Sequence, residues 1–403
     1  MRSDEIIIAY VCDSRYAAYL QVSIASVRRY NKNVRIVVLS DKMFEVEGAN
    51  VVVIDPDRDK FKFRKKDRMR DGVYFKFYLP ELPYDKVLYI DCDVICQRPL
   101  YPLWDEDCEF ICATESHQYG EKQAKELGIE RYALTGMLLC NLKAMREAGF
   151  TERCFQRLSA ENPRYHDETI INLEWGDRIR FIDKKYNYCR NRTYLNPIDE
   201  ADAYILHYVG KQKRDMLKLT NYRELYPLKT FLKGRSVAVV GNASSILDQG
   251  FGEEIDSHDV VIRFNKGFPS KDVGFKTHIL FLATTLSREE LANFRAVYTV
   301  KRSRFSGNRC DFNISPPDRV ALAQEPNEFL KKTAIATRSQ ASTGFIAVDF
   351  CLSTDCKKID LYGFDFFRTP TYYNDPDYVT YHNGDKERER LLELQEYGLI
   401  TIH

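Results

Sequence analysis

Runs of apolar residues recur along both halves of the chain. Several of them are followed by a helical stretch or a small-residue loop. In the first half they predict strands and one long helix, at Glu5–Tyr10, Ala17–Tyr30 (helix), Val34–Leu39, Asn50–Ile54 and Val87–Ile90. In the second half they predict a similar set, at Ser236–Val240, Val260–Phe264, Ile279–Leu282, Thr343–Leu352 (helix) and Lys358–Tyr362. Strands that alternate with helices predict an α/β fold, in which ligands collect at the carboxyl ends of the strands.

The sequence changes character near residue 210. Residues 210–235 are rich in lysine and arginine and contain no strand pattern, so we predict a helical connector there, at residues 221–234. A length of 403 residues also favours two domains, at roughly 150 residues for each. The expected organisation is an N-terminal domain at residues 1–220, the connector, and a C-terminal domain at residues 235–403.

Composition narrows the classes of function. The chain has 60 lysines and arginines against 59 acidic residues, a net charge of +1, which gives no general attraction for nucleic acid. No run of 18 apolar residues occurs, and the N-terminus lacks the pattern of a signal peptide. The 11 cysteines are irregularly spaced, which predicts reduced thiols rather than a zinc site. We therefore expect a cytoplasmic protein.

The segment Phe61–Arg70 combines basic and aromatic side chains. This composition is typical of a surface that contacts anionic lipid or phosphate, which would place the protein peripherally at the inner membrane. A solvated loop is the alternative interpretation, because most charge runs lie on the surface.

Two aspartates follow the apolar run Val87–Ile90. Asp91 and Asp93 are separated by one residue, and burying two like charges this close together is costly unless a cation neutralises them. Carboxylate oxygens bind hard divalent cations such as Mn²⁺ or Mg²⁺. Such an ion can hold a diphosphate leaving group, so we predict a metal site here. For an isolated pair of aspartates, a solvated turn is the alternative.

Six ordered blocks of the first half carry a specific resemblance. They are IIIAYVCDSRYAAYLQVSIASV, YFKFYLPELPYDKVLYIDCDVI, TGMLLCNLKAMR, HDETIINLEW, FIDKKYN and HYVGKQK. Together they resemble the retaining glycosyltransferases of family 8, which have the GT-A fold and use nucleotide-diphosphate sugars. The resemblance implies a UDP-galactose or UDP-glucose donor and a divalent metal, Mn²⁺ or Mg²⁺.

The same resemblance implies roles for individual residues. They are Asp13 and Tyr16 for uracil; Lys76, Gly210 and Lys213 for the diphosphate; Asp91, Asp93 and His207 for the metal; and Asp167 and Glu168 for catalysis. Neutral imidazole is an ordinary Mn²⁺ ligand, and lysine supplies charge for a phosphate. Glu168 stands where the family has glutamine, and is either a nucleophile or a polar stabiliser. The chain also departs from the family at Lys76, Leu134-Thr135 and Thr169.

Two small-residue loops mark the second half. Gly241–Ser245 follows a strand, and Ser342-Thr343-Gly344 opens a helix; backbone N–H groups in such loops bind phosphate. Farther along, His382 and Glu387 lie five residues apart before a charged helix. A histidine there suits proton transfer near neutral pH, with helix capping as the alternative role.

These segments resemble the motifs of family 29 sialyltransferases. VAVVGNASSILDQGFGEEIDSHDVVIRFNKG is similar to their long motif, ASTGFIAVDFCLSTDCKKIDLYGFDFF to their short motif, and His382 with Glu387 to their very short motif. The resemblance implies a GT-B-variant, Rossmann-type domain that transfers an acid sugar from a CMP donor with inversion and without a metal. Its nucleotide-binding residues would be Asn242, Asn265, Ser342, Thr343 and Gly344, and its catalytic base His382.

Two positions of the second half depart from that family. Val237 stands where the long motif has cysteine, so a disulfide to Cys356 cannot form. Thr371-Tyr372-Tyr373 stands where the family has a His-Tyr-Tyr pattern, so the histidine that would protonate the phosphate is either missing or at another position.

The sequence therefore predicts a bifunctional glycosyltransferase with two α/β domains. One domain would transfer a hexose from a UDP-sugar, and the other sialic acid or Kdo from a CMP donor. The acceptor would be an oligosaccharide or glycolipid of a bacterial lipooligosaccharide or capsule. The alternatives are that only one domain is catalytic, or that the chain binds glycans or nucleotides without turnover.

Overall fold

A computed structural model describes most of the chain. The described residues are 5–54, 71–115, 118–160, 166–190, 199–213, 216, 226–284, 286–301, 321–324, 340–373 and 380–403. They fall into two compact units, residues 2–218 and 219–403, which we treat separately. The basic segment Phe61–Arg70 and the first five residues of the connector, 221–225, lie outside the described residues. The domain boundaries stay a prediction.

The described strands of the first unit form two β-sheets. Its strands are β1 (Ile6–Val11), β2 (Val34–Ser40), β3 (Asn50–Val53), β4 (Lys86–Ile90), β5 (Val94–Cys96), β6 (Ile111–Glu115), β7 (Ala133–Asn141), β8 (Ile179–Ile182), β9 (Tyr188–Cys189) and β10 (Ile205–His207). Among the described residues, seven strands form a mixed sheet in the order β3-β2-β1-β4-β7-β6-β8, and β5-β10-β9 form a small second sheet. β7 runs antiparallel to both β4 and β6.

Helices pack around these sheets. The α-helices of the first unit are Ala17–Tyr30, Tyr101–Trp104, Gln118–Leu127, Leu142–Glu147, Phe150–Ala160 and His166–Trp175. Short 3-10 segments lie at Ser14–Tyr16, Asp71–Glu81, Gly176–Arg178, Lys184–Tyr186, Glu200–Asp202 and Gly210–Gln212. The core joins the sheet to Asp71–Glu81 and the two helices Phe150–Ala160 and His166–Trp175, with Trp175 fully buried. Burial of these apolar side chains is the main stabilising contribution to the unit.

The described strands of the second unit form one parallel β-sheet. Its strands are β11 (Ser236–Val240), β12 (Val260–Phe264), β13 (Ile279–Leu282), β14 (Tyr298–Lys301), β15 (Ala321–Gln324), β16 (Lys358–Tyr362) and β17 (Thr401–Ile402). Within the described part of the chain, they pair in the order β15-β14-β13-β12-β11-β16-β17. The α-helices are Tyr226–Leu232, Gly252–Ser257, Arg288–Ala292, Thr343–Leu352 and Gly384–Glu396, with a 3-10 turn at Ser244–Ile246.

Strand order explains where ligands can bind in this second unit. β11 pairs with β12 on one side and with β16 on the other, so the order of strands reverses beside β11. Such a reversal opens a crevice at the carboxyl ends of parallel strands. The central strands β11 and β12 are buried and mostly apolar, with Ser236 and Arg263 as their polar members, because both faces of a parallel sheet are covered. The α/β prediction is therefore confirmed for both units. Across the described residues, we found no helix with both the length and the apolar character needed to span a membrane.

Candidate functional sites

The first candidate site lies where β4, β5 and β10 meet. Asp91 follows β4, Asp93 precedes β5, and His207 ends β10, which pairs with β5 so that His207 lies opposite Val94. The His207 Nε2 atom lies 3.5 Å from Asp91 Oδ2 and 3.3 Å from Asp93 Oδ1. One ligand atom from each of the three residues lies within 4.8 Å of the others. Two carboxylates and one imidazole suit a divalent ion such as Mn²⁺.

Neighbouring residues fix these three side chains. His207 Nδ1 lies 3.2 Å from Asn187 Oδ1, and because that oxygen can only accept, Nδ1 carries the hydrogen and Nε2 is left to bind a metal. The Tyr89 hydroxyl donates to Asp91 Oδ1. A Cβ atom on Gly136 would lie 2.2 Å from His207 Cε1 and 3.1 Å from Asp91 Oδ2. Only glycine fits there, so β7 is part of this candidate metal centre.

Two lysines balance the negative charge of this centre. The Lys76 ammonium is buried and lies 2.6 Å from Asp167 Oδ2 and 3.9 Å from Asp91 Oδ1, and it also donates to Thr135. Lys213 Nζ lies 2.8 Å from Asp93 Oδ2. Burial alone would lower the pKa of each lysine, but the neighbouring carboxylates raise it, so both are held as cations. Lys76 thus connects the metal-binding residues to Asp167.

The start of the helix His166–Trp175 supplies two acidic side chains. Glu168 Oε2 accepts a hydrogen bond of 3.1 Å from the Thr135 backbone N–H. Burial, together with the charge of Asp167, raises the pKa of Glu168 to about 7. Thr169, which replaces an aspartate of the family pattern, is buried and lies 3.3 Å from the Tyr132 hydroxyl. That replacement therefore gives a packing residue, and Glu168 is the acidic group next to Asp167.

The predicted uracil-binding residues lie at the end of β1. Asp13 caps the turn Ser14–Tyr16 and accepts hydrogen bonds from the backbone and guanidinium of Arg15, which lower the pKa of Asp13. Tyr16 is exposed, and Lys213 Nζ lies 5.4 Å from the centre of its ring. Lys213 therefore contacts both Tyr16 and the metal-binding Asp93. Gly210, with φ of +64°, begins the turn that carries Lys213 to this position.

The second candidate site is a cavity of about 660 Å³ in the second unit. It opens beyond the carboxyl ends of β11, β12, β13 and β16, at the crevice described above. The predicted nucleotide-binding and catalytic residues of this half all line it: Asn242, Asn265, Ser342, Thr343, Gly344 and His382. Residues from three separate sequence motifs therefore come together in one place.

Hydrogen bonds orient the two asparagines. Asn242 Nδ2 donates to the Phe264 carbonyl at 3.1 Å and lies 3.2 Å from the Tyr373 hydroxyl. Asn265 has φ of +48°, a region that asparagine tolerates, and its Oδ1 accepts from the Ala283 N–H at 2.8 Å. Both side chains are thus held at adjacent strand ends.

A buried carboxylate joins the short and very short motifs. Ser342 caps the helix Thr343–Leu352 through a hydrogen bond from the Phe345 N–H to its Oγ. The Ser342 N–H and hydroxyl then donate to the two oxygens of Glu387, at 2.6 and 2.7 Å. Glu387, 3% exposed, also lines the cavity. It therefore holds the start of this helix against the helix that follows His382.

The position of His382 suits a general base. Its Nδ1 lies 2.6 Å from the Gln340 carbonyl oxygen, which can only accept, so Nδ1 carries the hydrogen. In the neutral ring, Nε2 is then the nitrogen that can accept a proton. Nearby, the buried Thr371 hydroxyl has no hydrogen-bond partner among the described residues and faces the same cavity. At the position of the family's disulfide, Val237 lies in the core, and the Cys356 thiol, which is in no disulfide, donates to the Cys351 carbonyl.

Sequence reasoning missed several residues of these sites. In the first site they are Asn187, Tyr89 and Gly136, and only Gly136 left a signal, as a glycine inside an apolar strand. In the second site the link from Glu387 to Ser342 was missed, because the two residues are 45 positions apart.

Comparison with known families agrees with the two sites. The profile of Glycosyl transferase family 8 matches residues 7–214. The profile of Glycosyltransferase family 29 (sialyltransferase) matches residues 213–305 and 279–399. The prediction of a GT-A-like first domain and a sialyltransferase-like second domain is thereby confirmed.

Individual proteins resemble the first half. The lipopolysaccharide glucosyltransferase WaaO of Escherichia coli K12 is 26% identical, over 51% of this chain and 71% of that protein. The lipopolysaccharide 1,3-galactosyltransferase of Salmonella typhimurium is 25% identical, over 52% of this chain and 73% of that protein.

Two solved structures also align with parts of the chain. The galactosyltransferase LgtC, crystallised with donor and acceptor sugar analogs, is 26% identical over 51% of this chain and 88% of its own, with a TM-score of 0.43. A mammalian sialyltransferase, in complex with Gal-β-1,3-GalNAc-ortho-nitrophenol, is 23% identical over 45% of this chain and 77% of its own, with a TM-score of 0.31.

The family-8 match covers more than half of the sequence and includes the residues of the first site, and the family-29 match covers the motifs of the second. The prediction that the protein is a glycosyltransferase is confirmed by these matches. The chain belongs to glycosyltransferase family 8, and it carries a sialyltransferase-like family 29 segment in its second half.

Proposed function

We propose that the chain is a bifunctional glycosyltransferase that adds two sugars to a bacterial surface glycan. The observation that carries the proposal is that each compact unit has its own set of convergent polar groups. The first unit brings together Asp91, Asp93 and His207. The second brings His382 and the two asparagines Asn242 and Asn265 to one cavity.

The first site is proposed to transfer galactose or glucose from a UDP-sugar, with retention of configuration. Its relatives include a lipopolysaccharide glucosyltransferase and a lipopolysaccharide 1,3-galactosyltransferase, which supports a lipopolysaccharide-type acceptor. Asp91, Asp93 and His207 would hold Mn²⁺ or Mg²⁺, whose chemistry is to neutralise the diphosphate of the leaving group. Lys213 supplies a further positive charge beside Asp93.

Retention needs either a nucleophile or a front-side departure that polar groups stabilise. We assign Glu168 the second role, as a stabiliser of the positive charge that develops on the sugar. Its carboxyl already accepts from the Thr135 N–H, a contact that glutamine, the family's residue, can make equally well. The raised pKa of Glu168 makes this role dependent on pH, because the ionised carboxylate stabilises a developing cation more strongly than the protonated carboxyl does.

The second site is proposed to transfer sialic acid or Kdo from a CMP donor, with inversion. His382 Nε2 takes the proton from the acceptor hydroxyl as its oxygen forms a bond to the anomeric carbon. The bond from that carbon to the phosphate oxygen breaks at the same time, and CMP leaves with the electron pair. Asn242 and Asn265 would bind the nucleotide, and the N–H groups that begin the helix Thr343–Leu352 would face its phosphate.

Assays of released nucleotide test this proposal. The pure protein is incubated with UDP-galactose, UDP-glucose, CMP-sialic acid and CMP-Kdo, each with a truncated lipooligosaccharide acceptor. We expect acceptor-dependent release of UDP from one hexose donor and of CMP from one acid-sugar donor. Release of neither nucleotide would contradict the proposal. If calorimetry also shows that the nucleotides bind, the chain is a non-catalytic binding protein.

Variants separate bifunctionality from a single active domain. Asp93→Ala should abolish only the release of UDP, and His382→Ala only the release of CMP. Loss of both activities in one variant, or a single activity in the wild-type protein, would mean that one domain is degenerate.

A further inference from the structure

Two cysteines lie next to the proposed uracil-binding and metal-binding residues of the first unit. Cys12 is the residue before Asp13, and Cys92 is the residue between Asp91 and Asp93. The proposed transfer assigns no role to either cysteine, and both are buried, at 4% and 7% exposed. Because of their position, a covalent change of the two thiols is a change at the proposed donor site.

The register of the first sheet sets these two cysteines opposite each other. β1 and β4 are parallel neighbours, and Ala9 of β1 pairs with Tyr89 of β4. Continued past the ends of the two strands, the same register sets Cys12 opposite Cys92. The Cys92 Sγ atom lies 3.3 Å from the carbonyl oxygen of Val11, the residue before Cys12, which agrees with this pairing.

This pairing fits the geometry of a disulfide. Neighbouring strands lie about 4.8 Å apart, and the Cα atoms of a disulfide are usually between roughly 4.4 and 6.8 Å apart. The Cys92 thiol also interacts directly with the Cys12 thiol. An S–S bond of about 2.05 Å between them therefore needs movement of the side chains and of the adjoining loops, while β1 and β4 stay paired.

In the reduced protein, the two thiols hold backbone groups of the site. Cys12 Sγ donates to the Asp13 carbonyl at 3.1 Å, and Cys92 Sγ donates to the Val11 carbonyl at 3.3 Å. A disulfide has no S–H group, so both hydrogen bonds would be lost on oxidation. The two sulfur atoms would also approach each other, which draws the segment 91–93 toward the turn that Asp13 caps.

The candidate metal centre is sensitive to such a movement. One ligand atom each from Asp91, Asp93 and His207 lies within 4.8 Å of the others. The two aspartates flank Cys92, whereas His207 is on β10, so a shift of Cys92 changes the distances from the carboxylates to the imidazole. A displacement of about 1 Å in a catalytic site can reduce the rate by about 10²-fold.

We propose that Cys12 and Cys92 form a redox-sensitive modification site, at which a peroxide converts the two thiols into a disulfide and thereby stops transfer from the UDP-sugar. The inference rests on the proposed function of the first site. β1 leads to the proposed uracil contacts and β4 to the proposed metal ligands, so one bond between the cysteines acts on both. The second unit contains neither cysteine, so transfer from the CMP donor should be unaffected.

One molecule of hydrogen peroxide balances the oxidation. One thiol attacks the peroxide, an S–O bond forms as the O–O bond breaks, and a sulfenic acid and water result. The second thiol then attacks the sulfenic sulfur, so that the S–S bond forms, the S–O bond breaks and a second water leaves. Each sulfur is oxidised by one electron, and each peroxide oxygen is reduced by one. A dithiol reductant reverses the change by thiol–disulfide exchange.

Peptide mapping tests whether the disulfide forms. Wild-type protein is treated with hydrogen peroxide, the peroxide is removed with catalase, the remaining thiols are blocked, and the digest is analysed by mass spectrometry without reduction. We expect a linked pair of peptides that contain Cys12 and Cys92, and its loss after treatment with dithiothreitol. If oxidation joins other cysteines instead, or joins none, the proposal is wrong.

Activity after the same treatment tests the consequence. UDP release by the oxidised wild-type protein should fall at least about tenfold, because the metal-binding residues are displaced, and it should recover with dithiothreitol. CMP release should stay unchanged throughout. Oxidised protein that carries the linked peptides but keeps its full UDP release would overturn the proposal.

Serine variants assign the effect to this pair of cysteines. Cys92→Ser and Cys12→Ser should have wild-type activity before treatment, since a serine hydroxyl can donate to the same carbonyl, and should keep it after treatment. Either variant is sufficient if the other fails to fold. The matched control is Cys108→Ser, whose half-buried thiol likewise donates to a carbonyl, that of Leu139. This variant should lose UDP release on oxidation as the wild type does.

Metal binding separates this inference from the proposed function. Binding of Mn²⁺, followed by electron paramagnetic resonance, needs no donor and no turnover. If wild-type protein releases no UDP from any donor, the proposed function fails, yet weaker Mn²⁺ binding after oxidation of the wild type, and not of Cys92→Ser, still supports the modification site. In that case, equal Mn²⁺ binding before and after formation of the disulfide would overturn it.

Discussion

The two candidate sites handle negative charge in different ways. In the first, buried or half-buried ions lie in pairs: Lys76 with Asp167, and Lys213 with Asp93, around a centre that suits a divalent cation. In the second, asparagine amides, a helix start and aromatic rings line the cavity together with Lys266, Asp365, Arg368 and Glu387, and we find no cluster of metal-binding side chains there among the described residues. A diphosphate carries more charge than the single phosphate of a CMP-sugar, so a site that suits a divalent cation fits the first donor, and a site without such a cluster fits the second. The difference predicts that removal of the metal affects only transfer from the UDP-sugar, and that loss of His382 affects only transfer from the CMP donor.

The largest expected effect is on the metal-binding residues. Asp93→Asn should reduce UDP-hexose transfer by about 10³-fold or more, because a bound metal contributes several kcal/mol to charge stabilisation. A chelator should have the same effect on wild-type protein, with recovery on addition of Mn²⁺. Transfer from the CMP donor should not change in either experiment. Nucleotide release with each donor provides the measurement.

The control for this prediction is Asp107→Asn, which removes an exposed aspartate of the same unit. It should leave both activities at the wild-type level. A chelator that also stops transfer from the CMP donor would show that the two sites do not differ in the way proposed.

The reciprocal prediction concerns His382. His382→Ala should lower transfer from the CMP donor by about 10²- to 10³-fold, the usual contribution of a general base. UDP-hexose transfer and its response to chelator should be those of the wild type. Separate assays with the two donors on one preparation test both statements. If the variant keeps its CMP activity, a group other than His382 accepts the proton, and the second site does not depend on a histidine base.

Both sites were partly predictable from the sequence, for a physical reason. Buried parallel strands are mostly apolar, so β12 and β16 match their predicted ranges residue for residue although they include Arg263 and Asp360. The helix Ala17–Tyr30 also matches. The functional residues were found where strands end, because polar groups there stand out against the preceding apolar run. β4 with Asp91 is the clearest case.

The contacts that complete the sites could not be predicted in this way. His207 depends on Asn187 and on Gly136, and Ser342 depends on Glu387, and all of these are far apart in the chain. Sequence periodicity reports which face of an element is buried, whereas these contacts depend on how elements pack. For Lys76, the prediction of a diphosphate contact stays a prediction, and its observed partners are Asp167 and Thr135.

An intermediate effect is expected at Glu168. If it is a polar stabiliser, Glu168→Gln should keep UDP-hexose transfer within about tenfold of wild type, since glutamine preserves the hydrogen bond to the Thr135 N–H. Wild-type transfer should rise with pH as the carboxyl, with its pKa of about 7, loses its proton. The variant should lack this rise. Rates between pH 5.5 and 8.5 provide the test.

The same substitution makes a prediction about stability. The pKa of Glu168 is higher in the folded chain than in the unfolded chain, so the folded state binds more protons and loses stability as the pH rises toward 7. Glu168→Gln should therefore raise the melting temperature more at pH 8 than at pH 5. Glu174→Gln, on the same helix, is the control. A covalent glycosyl-enzyme in the wild type, detected by mass spectrometry and absent from Glu168→Gln, would instead identify Glu168 as a nucleophile.

The smallest expected effect is at Glu387, the one buried carboxylate that we find at the second site among the described residues. Glu387 accepts from both the N–H and the hydroxyl of Ser342, and these two donors stabilise its charge. Glu387→Gln keeps the shape of the side chain but replaces one carboxylate oxygen with an NH₂ group. This group is a hydrogen-bond donor, and it would face the N–H or the hydroxyl of Ser342, which is also a donor. The expected cost is about 1–3 kcal/mol of the second unit's stability, a fall of a few degrees in its melting transition.

Because Ser342 begins the helix that would face the phosphate, the KM for the CMP donor should rise a few-fold in Glu387→Gln, while UDP-hexose transfer stays constant. Glu389→Gln, which changes an exposed glutamate on the same helix, is the matched control. Scanning calorimetry and donor titrations measure the two effects. If the variant melts normally but loses CMP transfer altogether, the carboxylate must act on the substrate itself, and the second site would then depend on charge as the first does.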